Sequence, residues 1–176
     1  MECWQVIGKI LGDFGVNEID VVFKTDTGIF NYRVVGIWKQ NGKVLIHKSV
    51  FDTNWALPGG RVTLGETSQV ALIREFQEEL AIDIGVGQLY WVVENFFNFK
   101  GDAFHEISFY YEVLTSDTSL LDQEAFHGPE GERLLYKWVP IETLSEYELL
   151  PSFLKTSLKK LPSHTVHIIN RDGEDK

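Results

Sequence analysis

The sequence predicts an α/β or α+β layered sandwich built on a mixed β-sheet, and three observations carry that expectation. Short β-rich runs punctuated by Gly, Asp and Asn recur through the first half and around residues 89–114. A single strongly helical stretch, residues 67–80, lies between them. A second helical stretch and a last β-rich run follow late in the chain, so helices must cover sheet faces instead of packing on one another.

Taken in order, residues 19–23 and 29–38 are β-rich and flank Asp26-Thr27-Gly28, whose turn chemistry predicts a hairpin. Residues 43–47 follow the Asn41-Gly42 turn and read as the next strand. Leu57-Pro58-Gly59-Gly60 interrupts the pattern before a short extended stretch at 61–64. The period then becomes helical, with Thr67 or Ser68 as the cap. Residues 89–99 and 104–114 form two long strands reversing through Asn98-Phe99-Lys100-Gly101-Asp102. The polar segment 115–132 reads as a loop, residues 134–139 as a strand ended by Pro140, and 151–161 as a helix opened by Pro151. A strand at 163–169 and a charged tail at 170–176 complete the chain. Residues 1–30 are expected to form an N-terminal extension, a hairpin strand packed on a core domain of 31–169.

Composition narrows the functions. With 44% hydrophobic residues the 176-residue chain has enough apolar material for one cored domain, and no apolar run is long enough to span a bilayer. The single cysteine, Cys3, rules out an internal disulfide framework, which points to the cytoplasm. A net charge of −10 argues against long nucleic acids and anionic membranes. It leaves open a small polyanion held through divalent cations bound by carboxylates.

The candidate chemistry lies in GRVTLGETSQVALIREFQEELAI, residues 60–82. At roughly 100° per residue, Glu75, Glu78 and Glu79 fall in one sector of about 100°. Leu72, Ile73, Phe76 and Leu80 are expected on a neighbouring apolar face, and Ala71 is expected to leave room beside the glutamates. A solvated acidic face is the bland explanation of such a run. The context favours a ligand site: Gly59 and Gly60 permit close backbone approach, and Arg74 can orient a carboxylate. Hard oxygen donors in this pattern suit Mg²⁺, with Mn²⁺ as a substitute.

The order Gly60, five residues, Glu66, seven residues, Arg74-Glu75-Phe76-Gln77-Glu78-Glu79-Leu80-Ala81-Ile82 resembles the Nudix box. The flanking strands fit that family's αβα sandwich over residues 31–161. Ala81 departs from the usual glycine, so the helix is expected either to strain there or to end differently, with Gly85 helping the turn. The resemblance implies a metal-dependent hydrolase that splits a phosphoanhydride bond of a nucleotide-like small molecule. It makes Glu75 and Glu79 the first metal ligands, Glu78 a ligand to a second cation or one acting through water, and the Gly60 carbonyl a further donor. Glu66 then stands behind the ligands, Arg74 orients Glu75, and the general base comes from the helix or from Glu130 or Glu132. Arg33, Arg61, Gly59 and Trp55 are candidate substrate contacts, with ion pairing or packing as the alternative for the side chains. Phe96, Phe97 and Phe126 are weaker candidates for stacking, and His47 is expected to be structural. His105 and Glu106, adjacent on one strand, must face opposite ways. Downstream tags for ADP-ribose or NADH hydrolysis are missing, so ADP-ribose, a nucleoside triphosphate, a dinucleoside polyphosphate and a nucleotide sugar all stay open. Dimers are common among similar proteins, which leaves a homodimer open, and the sequence itself does not set the oligomeric state. The competing readings are a catalytically silent nucleotide-binding domain of the same fold, an acidic interaction protein, and an enzyme acting on RNA 5′ ends.

Overall fold

The computed structural model describes residues 19–172. Residues 1–18 of the expected extension, Cys3 among them, and 173–176 of the expected tail lie outside the described residues.

Two sheets form the framework. β1 (Val22–Thr25) and β2 (Gly28–Ile37) make an antiparallel hairpin through a two-residue turn at Asp26 and Thr27, pairing Val22 with Asn31 and Thr25 with Gly28. β5 (Gly85–Phe99) and β6 (Asp102–Leu114) make a second, much longer hairpin. Its reversal is tight because Lys100 and Gly101 both take positive φ, 50° and 88°, as a type I′ turn requires. β6 lies parallel to β2, and β9 (Val166–Arg171) lies parallel to β5, giving a mixed sheet in the order β1-β2-β6-β5-β9. The second sheet is antiparallel, ordered β3-β4-β8-β7, from β3 (Lys39–Gln40), β4 (Lys43–Ser49), β7 (Ala125–Phe126) and β8 (Leu134–Pro140).

Alternation along β2 divides the core. Val34 enters one cluster with Leu72, Phe76, Tyr111 and Tyr136, against helix α1 (Ser68–Leu80). Val35 and Ile37 enter a second cluster with Trp91, Tyr110, Leu144, Leu154 and Leu158. Leu144 comes from a 3₁₀ turn (Ile141–Glu146), and Leu154 and Leu158 from the short helix α2 (Leu154–Ser157) and its C-cap. This is the expected α+β architecture with a mixed sheet.

Several details correct the sequence reading. The stretch 61–64 is extended as expected, with Arg61 bridging Arg33 and Thr63 bridging Asp20, but other segments differ. The loop 115–132 contains β7. The late helix is one α-helical turn instead of residues 151–161, with Leu154 and Leu158 both buried. The tail does not begin at 170: Asn170 and Arg171 belong to β9, and Asp172 accepts hydrogen bonds from the Ser152 hydroxyl and amide at 2.6 and 3.0 Å.

Candidate active site

Thr67 caps α1, its hydroxyl accepting from the Val70 amide at 3.3 Å. Ala71, Leu72, Phe76 and Leu80 bury one stripe, and Glu79 is buried with them. Ile73 is exposed and does not join that stripe, and Ala71 is closed inside the core instead of leaving space beside the glutamates. At the C-terminus Ala81 takes the left-handed conformation, φ 55° and ψ 34°. The amides of Ala81 and Ile82 turn back to the carbonyls of Gln77 and Phe76 at 3.0 and 3.4 Å. The helix therefore ends where a glycine would end it, and Ala81 carries the strain.

Arg74 organises the acidic face. Its Nε and Nη2 grip the two oxygens of Glu66, both at 3.0 Å. Nη1 donates to Glu75 at 2.9 Å and to Glu78 at 3.1 Å, and Nη2 also donates to the Arg61 carbonyl at 2.9 Å. All five guanidinium protons are thereby used, which fixes the fork and the three carboxylates it touches. The other side of Glu66 is held by the Thr63 amide and hydroxyl at 3.1 and 2.8 Å.

The glycine turn lies directly beneath. A Cβ on Gly60 would overlap the Glu75 carboxylate, and one on Gly59, at φ 141°, would overlap the Val34 carbonyl. The Gly60 carbonyl accepts from Val34 N–H at 2.9 Å, docking the turn beside β2. Arg33, projecting from β2, donates to the Gly59 carbonyl at 3.0 Å.

Glu79 is 8% exposed and accepts from the Tyr136 hydroxyl at 2.8 Å. Burial raises its pKa to about 7 against the favourable Tyr136 bond, with Glu75 and Glu130 pushing the same way. Burial also raises Glu75, and Arg74 and Arg33 oppose that rise. Partial burial works against the charge of Glu66 as well, yet the bonds from Arg74 and Thr63 hold its carboxyl below the usual range. His47, in register with Tyr136 and 5.4 Å from it ring to ring, is driven down to about 3 by burial and by Arg33 and Arg133. Its Nδ1 is wholly buried without a hydrogen-bond partner.

The structure thus gathers Gly59, Gly60, Arg61, Arg74, Glu75, Glu78 and Glu79 with Arg33. Glu130, ion-paired to Arg133 at 2.8 Å, is near enough to act on Glu79. Glu132 instead lines a shallow depression with Val50, Phe51, His127 and Arg133. Trp55 is not brought to the carboxylates. Its ring packs against Tyr147 at 5.9 Å and under the Lys48 ammonium, within the second core cluster. Phe126 is buried on Tyr136, and Phe97 stacks on Phe104. Sequence reasoning missed Tyr136, whose approach to Glu79 depends on the register of β8 against β4. It treated Glu106 only through alternation, which holds: Glu106 is buried and His105 exposed.

Among the described residues, no three His, Cys, Asp or Glu side chains stand close enough to enclose a cation as they are placed. The donor chemistry nevertheless fits one. Two desolvated carboxylates and a neighbouring main-chain carbonyl are hard oxygen donors, beside a turn that excludes any side chain at Gly60.

Comparison with known proteins agrees with this geometry. The family model described as NUDIX domain matches residues 31–161. The MutT protein of Methanosarcina mazei Go1 is similar with TM-score 0.53 and 20% identity, over 75% of this chain and 91% of that one. A NUDIX hydrolase from Nitrosomonas europaea gives 0.53 and 18%, over 84% and 81%. An ADP-ribose pyrophosphatase from Streptococcus suis 89-1591 gives 0.51 and 13%, over 80% and 98%. At these identities the likeness is one of fold.

Proposed function

The chain belongs to the Nudix hydrolase family, and from that premise we propose that residues 31–169 hydrolyse a phosphoanhydride bond with Mg²⁺ as cofactor, Mn²⁺ substituting. The substrate class is a nucleoside diphosphate linked to another group, as in ADP-ribose, or a nucleoside triphosphate. The observation that carries the reading is the Glu75–Glu79 pair, two carboxylates withdrawn from water beside a turn with no side chain. Such groups are poor anions alone and good ones beside a cation.

Glu75, Glu79 and the Gly60 carbonyl would hold the metal, with Glu78 at its exposed margin. When bound, the metal supplies charge neutralisation on phosphate oxygens and a more acidic water. Arg74 holds Glu75 and Glu78 in place and is itself braced by Glu66. Tyr136 steadies Glu79 from the opposite sheet. Arg33 and Arg61 flank the glycine turn and meet the substrate phosphates, while the Gly59 carbonyl keeps Arg33 aimed. Glu130 is favoured over Glu132 as general base, because Glu130 lies within electrostatic reach of Glu79. The reading places the protein in the cytoplasm as a homodimer acting on a small molecule. No helix among the described residues is long and apolar enough to cross a membrane.

The test is turnover of ADP-ribose, a nucleoside triphosphate, a dinucleoside polyphosphate and a nucleotide sugar with Mg²⁺ or Mn²⁺. Wild-type protein should release products from at least one, and Glu79→Gln should fall to background while its circular dichroism is unchanged. Nucleotide binding with no turnover by the wild type under either metal would support the catalytically silent alternative instead.

A further inference from the structure

The five-stranded sheet carries a row of buried polar side chains that the catalytic apparatus does not use. Asn31 on β2 pairs in register with Glu106 on β6, Glu106 with Asn95 on β5, and Asn95 with Asn170 on β9. In-register neighbours share a face, so all four point the same way. They are 3, 7, 7 and 8% exposed. Four residues along, the same face carries Val35, Tyr110, Trp91 and Val166, which pack as core. Between the two rows lie Arg33, Ser108, Val93 and Ile168, so the polar row sits where this face passes out of the apolar core, and buried amides there are costly unless bonded.

Counting the bonds shows what is left over. Asn31 Nδ2 donates to Glu106 Oε2 at 2.8 Å, and Asn31 Oδ1 accepts from Arg61 Nε at 3.2 Å. Glu106 Oε1 accepts from the Ser108 hydroxyl at 2.7 Å, and Arg33 Nε lies 3.9 Å from Oε2. Asn170 Nδ2 donates to Asn95 Oδ1 at 2.7 Å. Asn95 Nδ2 and Asn170 Oδ1 have no partner among the described residues. His47 Nδ1 is the one wholly buried, unbonded side-chain atom among those residues, so these two atoms keep some access to solvent. Flipping both amides would still leave one donor beside one acceptor. Every nucleobase presents the complement on its pairing edge, an acceptor beside a donor.

The row also leads to the catalytic end. Arg33 and Asn31 alternate onto the same face, and Arg33 bonds Gly59, the neighbour of the Gly60 that underlies Glu75. Asn95 and Asn170 lie two and three strands beyond β2, about 10 and 14 Å away at ordinary strand spacing. Resting on the nucleotide reading above, we propose that this row seats the nucleoside end of the substrate. Asn95 and Asn170 read the base edge through one donated and one accepted hydrogen bond, and Arg33 and Arg61 carry the contact to the phosphates.

The experiment is calorimetric titration, without divalent metal, of wild type and the double variant Asn95→Leu/Asn170→Leu. The probes are ADP, GDP, CDP, UDP and inorganic pyrophosphate. Removing both members of an amide pair in favour of similar apolar shapes costs the fold little. The preferred nucleoside diphosphate should bind about tenfold more weakly to the double variant, the loss of one to two hydrogen bonds, with pyrophosphate binding unchanged. KM for the nucleotide substrate should rise by the same factor with kcat retained. Should the double variant not fold, Asn95→Asp replaces the free donor by an acceptor and should reorder the four diphosphates. Equal nucleoside diphosphate affinity in wild type and a folded double variant, or an unchanged order with Asn95→Asp, overturns the proposal. So does a wild type that binds no nucleoside diphosphate more tightly than pyrophosphate. These outcomes are read without metal, so a wild type that binds bases but never turns over would sink the hydrolase reading and leave this one standing.

Discussion

Ala81 occupies a left-handed conformation in which its methyl group crowds the following carbonyl, a cost of about 1 kcal/mol that glycine avoids. Ala81→Gly should therefore raise the unfolding free energy by about 1 kcal/mol, seen as a higher urea midpoint, with turnover unaffected, since the residue bonds only the helix end. The sequence showed that something had to yield at this position, but not whether the backbone or the helix length would do so. His47 makes a second residue-scale prediction. Its folded pKa of about 3 lies below the unfolded value of 6.5, so the unfolded chain binds the extra proton first as pH falls. The stability due to neutral His47 is complete above pH 6.5 and is lost progressively towards pH 3. His47→Phe, which keeps a ring against Tyr136, should lessen the loss of stability between pH 7 and pH 5 by about 2 kcal/mol. Denaturant titrations at the two pH values check this, and equal losses in both proteins would contradict it. Reading His47 as structural from sequence did not reveal its unpaired nitrogen, because that depends on which groups the two sheets bring around it.

At the scale of elements, the loop running from Gly59 into α1 behaves as one part. Helical spacing alone put Glu75, Glu78 and Glu79 on one side, so this portion of the site was legible from sequence. The support from Arg74 was legible in kind only: that it saturates five protons on Glu66, Glu75, Glu78 and the Arg61 carbonyl needed the folded loop. Arg74→Lys keeps the charge and loses the fork, and should weaken Mn²⁺ binding about 10- to 100-fold by calorimetry. Gly60→Ala should displace the Glu75 carboxylate and lower kcat/KM about 100-fold or more, with the melting transition still cooperative. Contacts between elements were less legible. Tyr136 reaches Glu79, and Asn95 meets Asn170, through strand register, which local patterns do not encode. The packing alternative for Trp55 could not be located for the same reason, since its pairing with Leu149 joins segments far apart in sequence.

Across the whole molecule, the net charge of −10 and the buried carboxylates set up repulsion that a divalent cation at the proposed site would relieve. Mg²⁺ should stabilise the fold by about 2.7 kcal/mol at a hundredfold excess over its Kd, read as a higher melting temperature that climbs with the logarithm of its concentration, and chelation should reverse the gain. Glu79→Gln should remove most of that dependence, which differential scanning measurements with and without Mg²⁺ would show. The layered class was readable because helix and strand periods alternate cleanly along the chain. The split into a five-stranded mixed sheet and a four-stranded antiparallel one was not, because β2 and β6 are parallel neighbours with β3, β4, α1 and β5 between them in the chain.

β9 has one more effect. By lying along Trp91–Phe96 it shields the flank of a fifteen-residue strand whose exposed amides would otherwise recruit a neighbouring molecule. A chain cut before Val166 would keep every carboxylate of the helix yet should precipitate on expression. Affinity handles for purification belong beyond Asp172, where they leave this protective strip in place.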